Sequence, residues 1–389
     1  MLFRSYLDYL MGYGPLILGH AHPAVVNAVT AQVSRGSHFY LVNEPAIALA
    51  KAVRRVVPNA ERVRFLGSGS EAVQAALRLA RARTGRSKVL KFEGAFHGTG
   101  DYAQHNVVPA AKPDFPHARP DSAGIPPAVS GEVLVAPFND LETTGRIIAA
   151  HATDLAAVLV EPLQRSIPPK PAFLEGLSRI TSEHGVQLIF DEVITGFRLA
   201  LGGAQELYGV RADITCYGKV LGGGLPLAAI AGRADVMDLA DPRRYGASDY
   251  AIVSGTLNGN PLCCAAGLAT LAELEQTSPY AGLASRAHRL RSGLRELGAR
   301  HGFAIQTPGA GSVFQVLFAE EEPFDGVSLA QVNWPRTNRF SLEMIARGFL
   351  LYRVAFLSVA HTDADIDRTL EAAEDVLKRM KNAESRGAR

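Results

Sequence analysis

Three short segments carry residues whose types and spacing could do chemistry. In GSGSEA, residues 67–72, glycines precede Ser70 and Glu71 at the head of an amphipathic run. Glycine lets the backbone approach a ligand closely, and the free amides and dipole of a helix start favour an anion such as phosphate, here at Gly69 and Ser70. The same residues could form no more than a tight bend, and they match neither the P-loop nor the dinucleotide GxGxxG pattern. In IFDEVITGFR, residues 189–198, an apolar run ends in Asp191 and Glu192. An acid at the carboxyl end of a central strand faces the crevice where α/β folds bind ligands. Asp191 could hold a protonated ring nitrogen there through a charge-assisted bond, or the pair could ligate a metal or cap a helix. In CYGKVLGGGLP, residues 216–226, Lys219 follows a short apolar run and precedes Gly222, Gly223 and Gly224. Most lysines are solvated surface charges. A glycine-rich bend beside a buried strand is instead a niche where an amine loses solvent, its pKa falls and it becomes a nucleophile.

The elements that must position these segments follow from the apolar pattern. VRFLG (63–67), KVLKF (88–92), VLVAPF (133–138), LAAVLVEP (155–162), VQLIFDEV (186–193) and LAAIAG (227–232) alternate with amphipathic stretches, which predict helices near 70–84, 141–151 and 172–185. The runs lack in/out alternation, so each strand must be buried on both faces, as in a mostly parallel sheet between helices. Residues 98–130 contain six prolines and little periodicity, which predicts a long loop of the kind that lines a site. Beyond Pro261 come an Ala/Leu-rich helical stretch, strands near 312–318 and 349–357, and a helix over 363–380, which predict a smaller α+β domain. The expected division is an N-terminal segment, 1–40, packed with the small domain and a dimer contact; a large α/β domain, 41–260; a connecting helix, 261–284; and the small domain, 285–389.

Bulk properties narrow the function classes. The 389 residues include 47% hydrophobic and 20% charged, with 40 Lys and Arg against 38 Asp and Glu. A net charge of +2 predicts no nucleic-acid or membrane field, so the expected partner is a small molecule. Cys216, Cys263 and Cys264 are odd in number and suit a reducing cytoplasm better than secretion. The first fifteen residues lack the long apolar run of a signal peptide, and no stretch is apolar over the roughly 18 residues that span a bilayer. His20 and His22 have no third ligand in register, so no metal site is expected.

Together with FEGAFHG (92–98), VEPLQ (160–164) and SGTLNGNPLCCAAG (254–267), the three segments resemble the class III aminotransferases of fold type I, nearest to their glutamate-1-semialdehyde aminomutase branch. The matches run from YLDYLMGYGPLILGHAHP (6–23) to FLSVAHTDADID (356–367). The resemblance implies a pyridoxal 5′-phosphate cofactor held by Lys219 as a Schiff base, with Lys219 also carrying the proton between substrate and cofactor. It implies that Asp191 binds the pyridine nitrogen, Val193 packs on one ring face, and Phe96 stacks on the other, where many relatives use tyrosine. His97 supports Phe96, and Gly69 and Ser70 hold the phosphate. Thr256 is expected to reach the phosphate of a neighbouring subunit, which requires a homodimer with shared sites.

Departures from the branch set the expected reaction. Where the aminomutase branch has a glutamate, this chain has Arg353, and other class III transaminases place a carboxylate-binding arginine in that stretch. Tyr13 stands where the branch has a tryptophan beside the substrate, and VEPLQRSIPPKP lacks the Gly-Glu-Ala-Gly stretch of many ω-aminotransferases. These residues put ping-pong transamination from a donor such as glutamate to a keto acid or polar ketone first, and the 2,1-aminomutase reaction second. Relatives also carry further residues ahead of the segment at Tyr6, so either the natural start lies upstream or the site entrance is more open.

Overall fold

The computed structural model describes residues 5–387. Unbroken apolar runs form the strands of a seven-stranded sheet: β1 (Arg62–Leu66), β2 (Lys88–Phe92), β3 (Val133–Ala136), β4 (Leu155–Val160), β5 (Gln187–Glu192), β6 (Ile214–Tyr217) and β7 (Ala228–Gly232). Their order is β1-β7-β6-β5-β4-β2-β3. All neighbours pair in parallel except β7, which runs against both β1 and β6. Every residue of β3, β4, β6 and β7 is buried, as expected of strands sandwiched on both sides.

Helices cover the two faces. Ser68 caps helix Gly69–Thr84 by accepting from the Glu71 amide at 3.3 Å, and Gly85, at φ 68°, ends it in the left-handed conformation that glycine adopts without penalty. Its Val73, Ala76 and Ala80 pack with Ile189, Cys216 and Ile230. On the other face Leu174 and Leu177, from helix Phe173–Glu183, pack with Val158, Val160 and Phe190. Each fully buried valine, leucine, isoleucine or phenylalanine side chain contributes about 1.5–3 kcal/mol, so these two apolar layers fix where the strand ends lie.

The link expected over 261–284 is two helices, Pro261–Thr277 and Tyr280–His301, broken at Ser278 (φ 41°). Beyond them lie short strands and the helix Asp363–Gly387. Strand Leu7–Asp8 joins this region by pairing in parallel with Phe349–Leu350. Arg198 ties three distant segments together: it is fully buried and donates to the carbonyls of Gly14 (2.5 Å) and Leu357 (3.0 Å) and to Ser312 Oγ (3.2 Å). Burial pushes its pKa down to about 9.

The proline-rich stretch 98–130 is a loop with one short helix, Pro127–Ser130, and it is anchored from beneath. Glu93 accepts from Asn106 Nδ2 (2.6 Å) and the Ala110 amide (2.7 Å), and buried Lys91 donates to the carbonyls of Ala95 and His105. Burial pushes the Lys91 amine down to about 7.

Candidate active site

Loops leaving the carboxyl ends of the parallel strands converge on one cavity of about 850 Å³. β1 delivers residues 67–70, β2 delivers Phe96 to Gly98, β4 delivers Glu161 and Arg165, β5 delivers Asp191 and Val193, and β6 delivers Lys219. The N-terminal loop adds Tyr13. This is the edge at which open α/β sheets bind ligands.

Successive side chains of a strand point to opposite faces, and that period separates the paired acids. Asp191 faces the cavity, where its Oδ2 meets His97 Nδ1 at 2.8 Å and its Oδ1 accepts from the Val193 amide at 3.1 Å. Glu192 faces away and takes the helix-capping role: it accepts from the amides of Ala204 (2.6 Å) and Gln205 (3.2 Å) and from Thr195 Oγ1 (2.9 Å). Burial pushes its carboxyl up to about 7.

Lys219 opens a tight turn directly after β6 and has a left-handed φ of 46°. Its Nζ lies 5.6 Å from the centre of the Tyr13 ring. Desolvation pushes the amine down to about 8, opposed by the negative charges of Asp191 and Glu161 and aided by Arg198 and Arg165. Near that pH a substantial fraction is neutral and nucleophilic.

The anion turn is built for close approach. Ser70 Oγ accepts from the Thr99 amide at 3.1 Å, while Gly98, at φ 89°, leaves so little room that a Cβ there would lie 2.8 Å from Ser70 Cα. A Cβ on Gly69 would meet Val193 at 3.0 Å, so Gly69 and Val193 pack directly. Phe96, 40% exposed, lines the cavity with its amide bonded to Glu161 Oε2 at 3.0 Å.

Gly69, Ser70, Phe96, His97, Asp191, Val193, Lys219 and Tyr13 thus line one space. Two residues singled out from the sequence do not. Thr256 is exposed on a separate loop and lines a second cavity of about 820 Å³ beside Phe39, Tyr40 and Leu41. Arg353 is exposed, at φ 59°, with its guanidinium 5.2 and 5.8 Å from the rings of Tyr352 and Trp334, and it is not part of the first cavity's wall. Two charged residues of the cavity wall had not been singled out. Glu161 follows β4 and obeys the same strand-end rule as Asp191. Arg165 lies in an irregular turn that gives no local signal.

The donor set suits a molecule with a phosphate, a basic ring nitrogen and an aldehyde. An anion turn, a buried carboxylate held in place by His97, and a desolvated amine all open on one space, and His97 Nε2 is buried without a hydrogen-bond partner among the described residues. That is the layout of the fold type I pyridoxal-phosphate enzymes. The family model for class III aminotransferases matches residues 4–354, and the chain belongs to this family, with pyridoxal 5′-phosphate (PLP) as its cofactor. A glutamate-1-semialdehyde 2,1-aminomutase from Desulfitobacterium hafniense is 43% identical over 384 residues, covering 97% of this chain and 87% of that one. An omega-transaminase from Sphaerobacter thermophilus superposes with a TM-score of 0.90 at 36% identity, covering 96% of this chain and 86% of that one. A glutamate-1-semialdehyde aminomutase from Pseudomonas aeruginosa PAO1 in complex with PMP gives 0.86 at 28% identity, covering 96% and 83%.

The crowding at Gly98 makes a direct prediction. Alanine there must adopt a left-handed φ and displace Ser70, at a cost of about 1–3 kcal/mol. Gly98→Ala is expected to weaken PLP retention roughly 10-fold or more, measured by titrating the cofactor's absorbance onto the apo protein.

Proposed function

We infer that this chain moves an amino group within a small carboxylic acid, exchanging amino and oxo groups between neighbouring carbons as a 2,1-aminomutase. Bound PLP supplies an aldehyde that condenses with amines and a ring that takes up the electron pair released when a proton leaves the adjacent carbon. The Lys219 amine would hold the cofactor and would take and return that proton. Asp191, whose carboxylate His97 fixes, would balance the charge on the ring nitrogen. Val193 and Phe96 would pack against the ring, Gly69 and Ser70 would bind the phosphate, and Tyr13 would wall the substrate end.

The observation that carries this choice of reaction is the 43% identity, over 97% of the chain, to a protein named as a 2,1-aminomutase. The sequence placed transamination first because of Arg353, whose guanidinium lies beside the rings of Tyr352 and Trp334 and does not line the cavity. Transamination remains the second reading, favoured by an arginine where the aminomutase branch has glutamate and by the TM-score of 0.90 to an omega-transaminase. The reconstituted enzyme given glutamate-1-semialdehyde alone is expected to form 5-amino-4-oxopentanoate. Product formation only when a separate amino donor and keto acceptor are both present would replace the first reading with the second.

A homodimer with shared sites is part of the proposal. Phe39, Tyr40, Leu41 and Val42 are 47–94% exposed beside Thr256, an apolar stretch suited to burial against a second copy. In that arrangement Thr256 contributes to the partner's phosphate site. The three thiols are unpaired and buried, which suits a reducing cytoplasm.

A further inference from the structure

We propose that Arg165 receives the substrate's carboxylate, so that substrate choice is set from the Phe96 side of the cavity. The inference rests on the cavity being the reaction site, as above, and assigns its acid-binding end. Arg165 lines the cavity half-buried. It has no carboxylate within ion-pair distance among the described residues. Its Nε makes a single 3.3 Å bond to the Gly94 carbonyl, and its guanidinium lies 5.1 Å from the Phe96 ring centre. A guanidinium anchored through one nitrogen still presents a planar fork that a carboxylate fits with two parallel bonds. Glu161 is near enough for the Arg165 charge to oppose the upward push of burial on its carboxyl, but it lies outside ion-pair distance and its Oε2 accepts from the Phe96 amide, which leaves the fork open.

The backbone argues the same way. Gln164 and Ile167 exchange hydrogen bonds of 3.0 and 2.8 Å, closing a tight turn with Arg165 at its first central position and φ at 61°. Glycine is the default for that conformation, and a branched or long side chain there is strained. The turn is held rigid by Gln164 Nε2, which donates to the Glu93 carbonyl (2.8 Å), and by Ser166 Oγ, which donates to Gln315 Oε1 (3.3 Å). An arginine at a left-handed position, on a turn anchored by these bonds, presents a preorganised cation to the site. Its charge also reaches the Lys219 amine and helps to hold that amine's pKa down.

The test compares butyrate with butyramide, two non-reactive ligands of the same shape that differ in charge, bound to PLP-loaded protein and followed by the cofactor's absorbance. Arg165→Gln is expected to weaken butyrate binding at least about 10-fold, since a hydrogen bond to a charged group contributes enough for that factor, and to leave butyramide within about 2-fold. Arg165→Gly, which relieves the strained φ and so preserves folding, should give the same split. Equal loss for both ligands, no loss for butyrate, or a loss that appears in Arg353→Gln and not in Arg165→Gln would overturn the assignment. Neither ligand needs turnover, so the result stands apart from whether the semialdehyde is converted.

Discussion

Lys219→Ala is expected to reduce turnover by on the order of 10⁴-fold and to leave PLP bound without a covalent link. In the proposed role of Lys219 two separate contributions are lost: the amine that would hold the cofactor, and the base that would carry the proton, a step that alone supplies about 10²–10⁴-fold. Borohydride should then fail to fix the cofactor to the chain, and a small added amine such as methylamine should restore part of the rate. A second consequence follows from the amine's environment. Desolvation lowers its pKa from 10.5 to about 8 in the folded apo protein. Below pH 8 the group is charged in both folded and unfolded chains, and the folded state bears the full cost of burying that charge. Between pH 8 and 10.5 the unfolded chain binds more protons than the folded one, so stability rises with pH in that window. Comparing urea unfolding of the apo wild type and Lys219→Met isolates this group: the variant should be more stable at pH 7 by on the order of 2 kcal/mol, with the difference closing toward pH 10.5. An unchanged difference across that range would mean that the amine is solvated and the cavity is not the niche described.

The large domain was legible because its signal is local. β2, β4 and β5 coincide with apolar runs that must be buried on both faces, and helix Gly69–Thr84 has its cap, acidic first turn and closing glycine all in sequence. The small-domain strands were harder to place. Strand Leu7–Asp8 has two residues and exists because it meets Phe349–Leu350, more than 300 positions away. The site divides in the same manner. Asp191, Lys219 and the anion turn sit at strand ends, where position along the chain fixes position in space. Arg353 was assigned from its place in a segment, but a left-handed φ turns its side chain toward Trp334, a direction that segment position does not encode. Arg198 is a further case that segment position does not encode, since an arginine is usually found at the surface and this one is buried on the carbonyls of Gly14 and Leu357. Arg165 was invisible for lack of any periodic context, although its turn is among the most constrained in the site.

Asp191→Asn is expected to lower kcat by about 10²–10⁴-fold with a smaller effect on PLP retention. The substitution preserves shape: an amide oxygen can still accept from the Val193 amide, now 3.1 Å from Oδ1. What it removes is the negative charge, and a ring nitrogen in a buried site keeps its proton only where a charge-assisted bond offsets desolvation. Without that proton the ring takes up electrons poorly, so the loss falls on the proton-transfer step in which charge develops. Asp191 is also bonded to His97 Nδ1 at 2.8 Å, which allows a rival explanation in which the variant merely disturbs His97. His97→Gln separates the two: it loosens the carboxylate but keeps its charge, and should cost kcat far less than Asp191→Asn. The sharper discriminator is a cofactor methylated on its ring nitrogen, which is positively charged without any partner. Loaded into Asp191→Asn it should recover part of the lost rate, because the charge that Asp191 normally secures is then permanent. A variant that this cofactor cannot rescue, while His97→Gln is equally impaired, would mean that the carboxylate acts by positioning and not by holding the ring's charge.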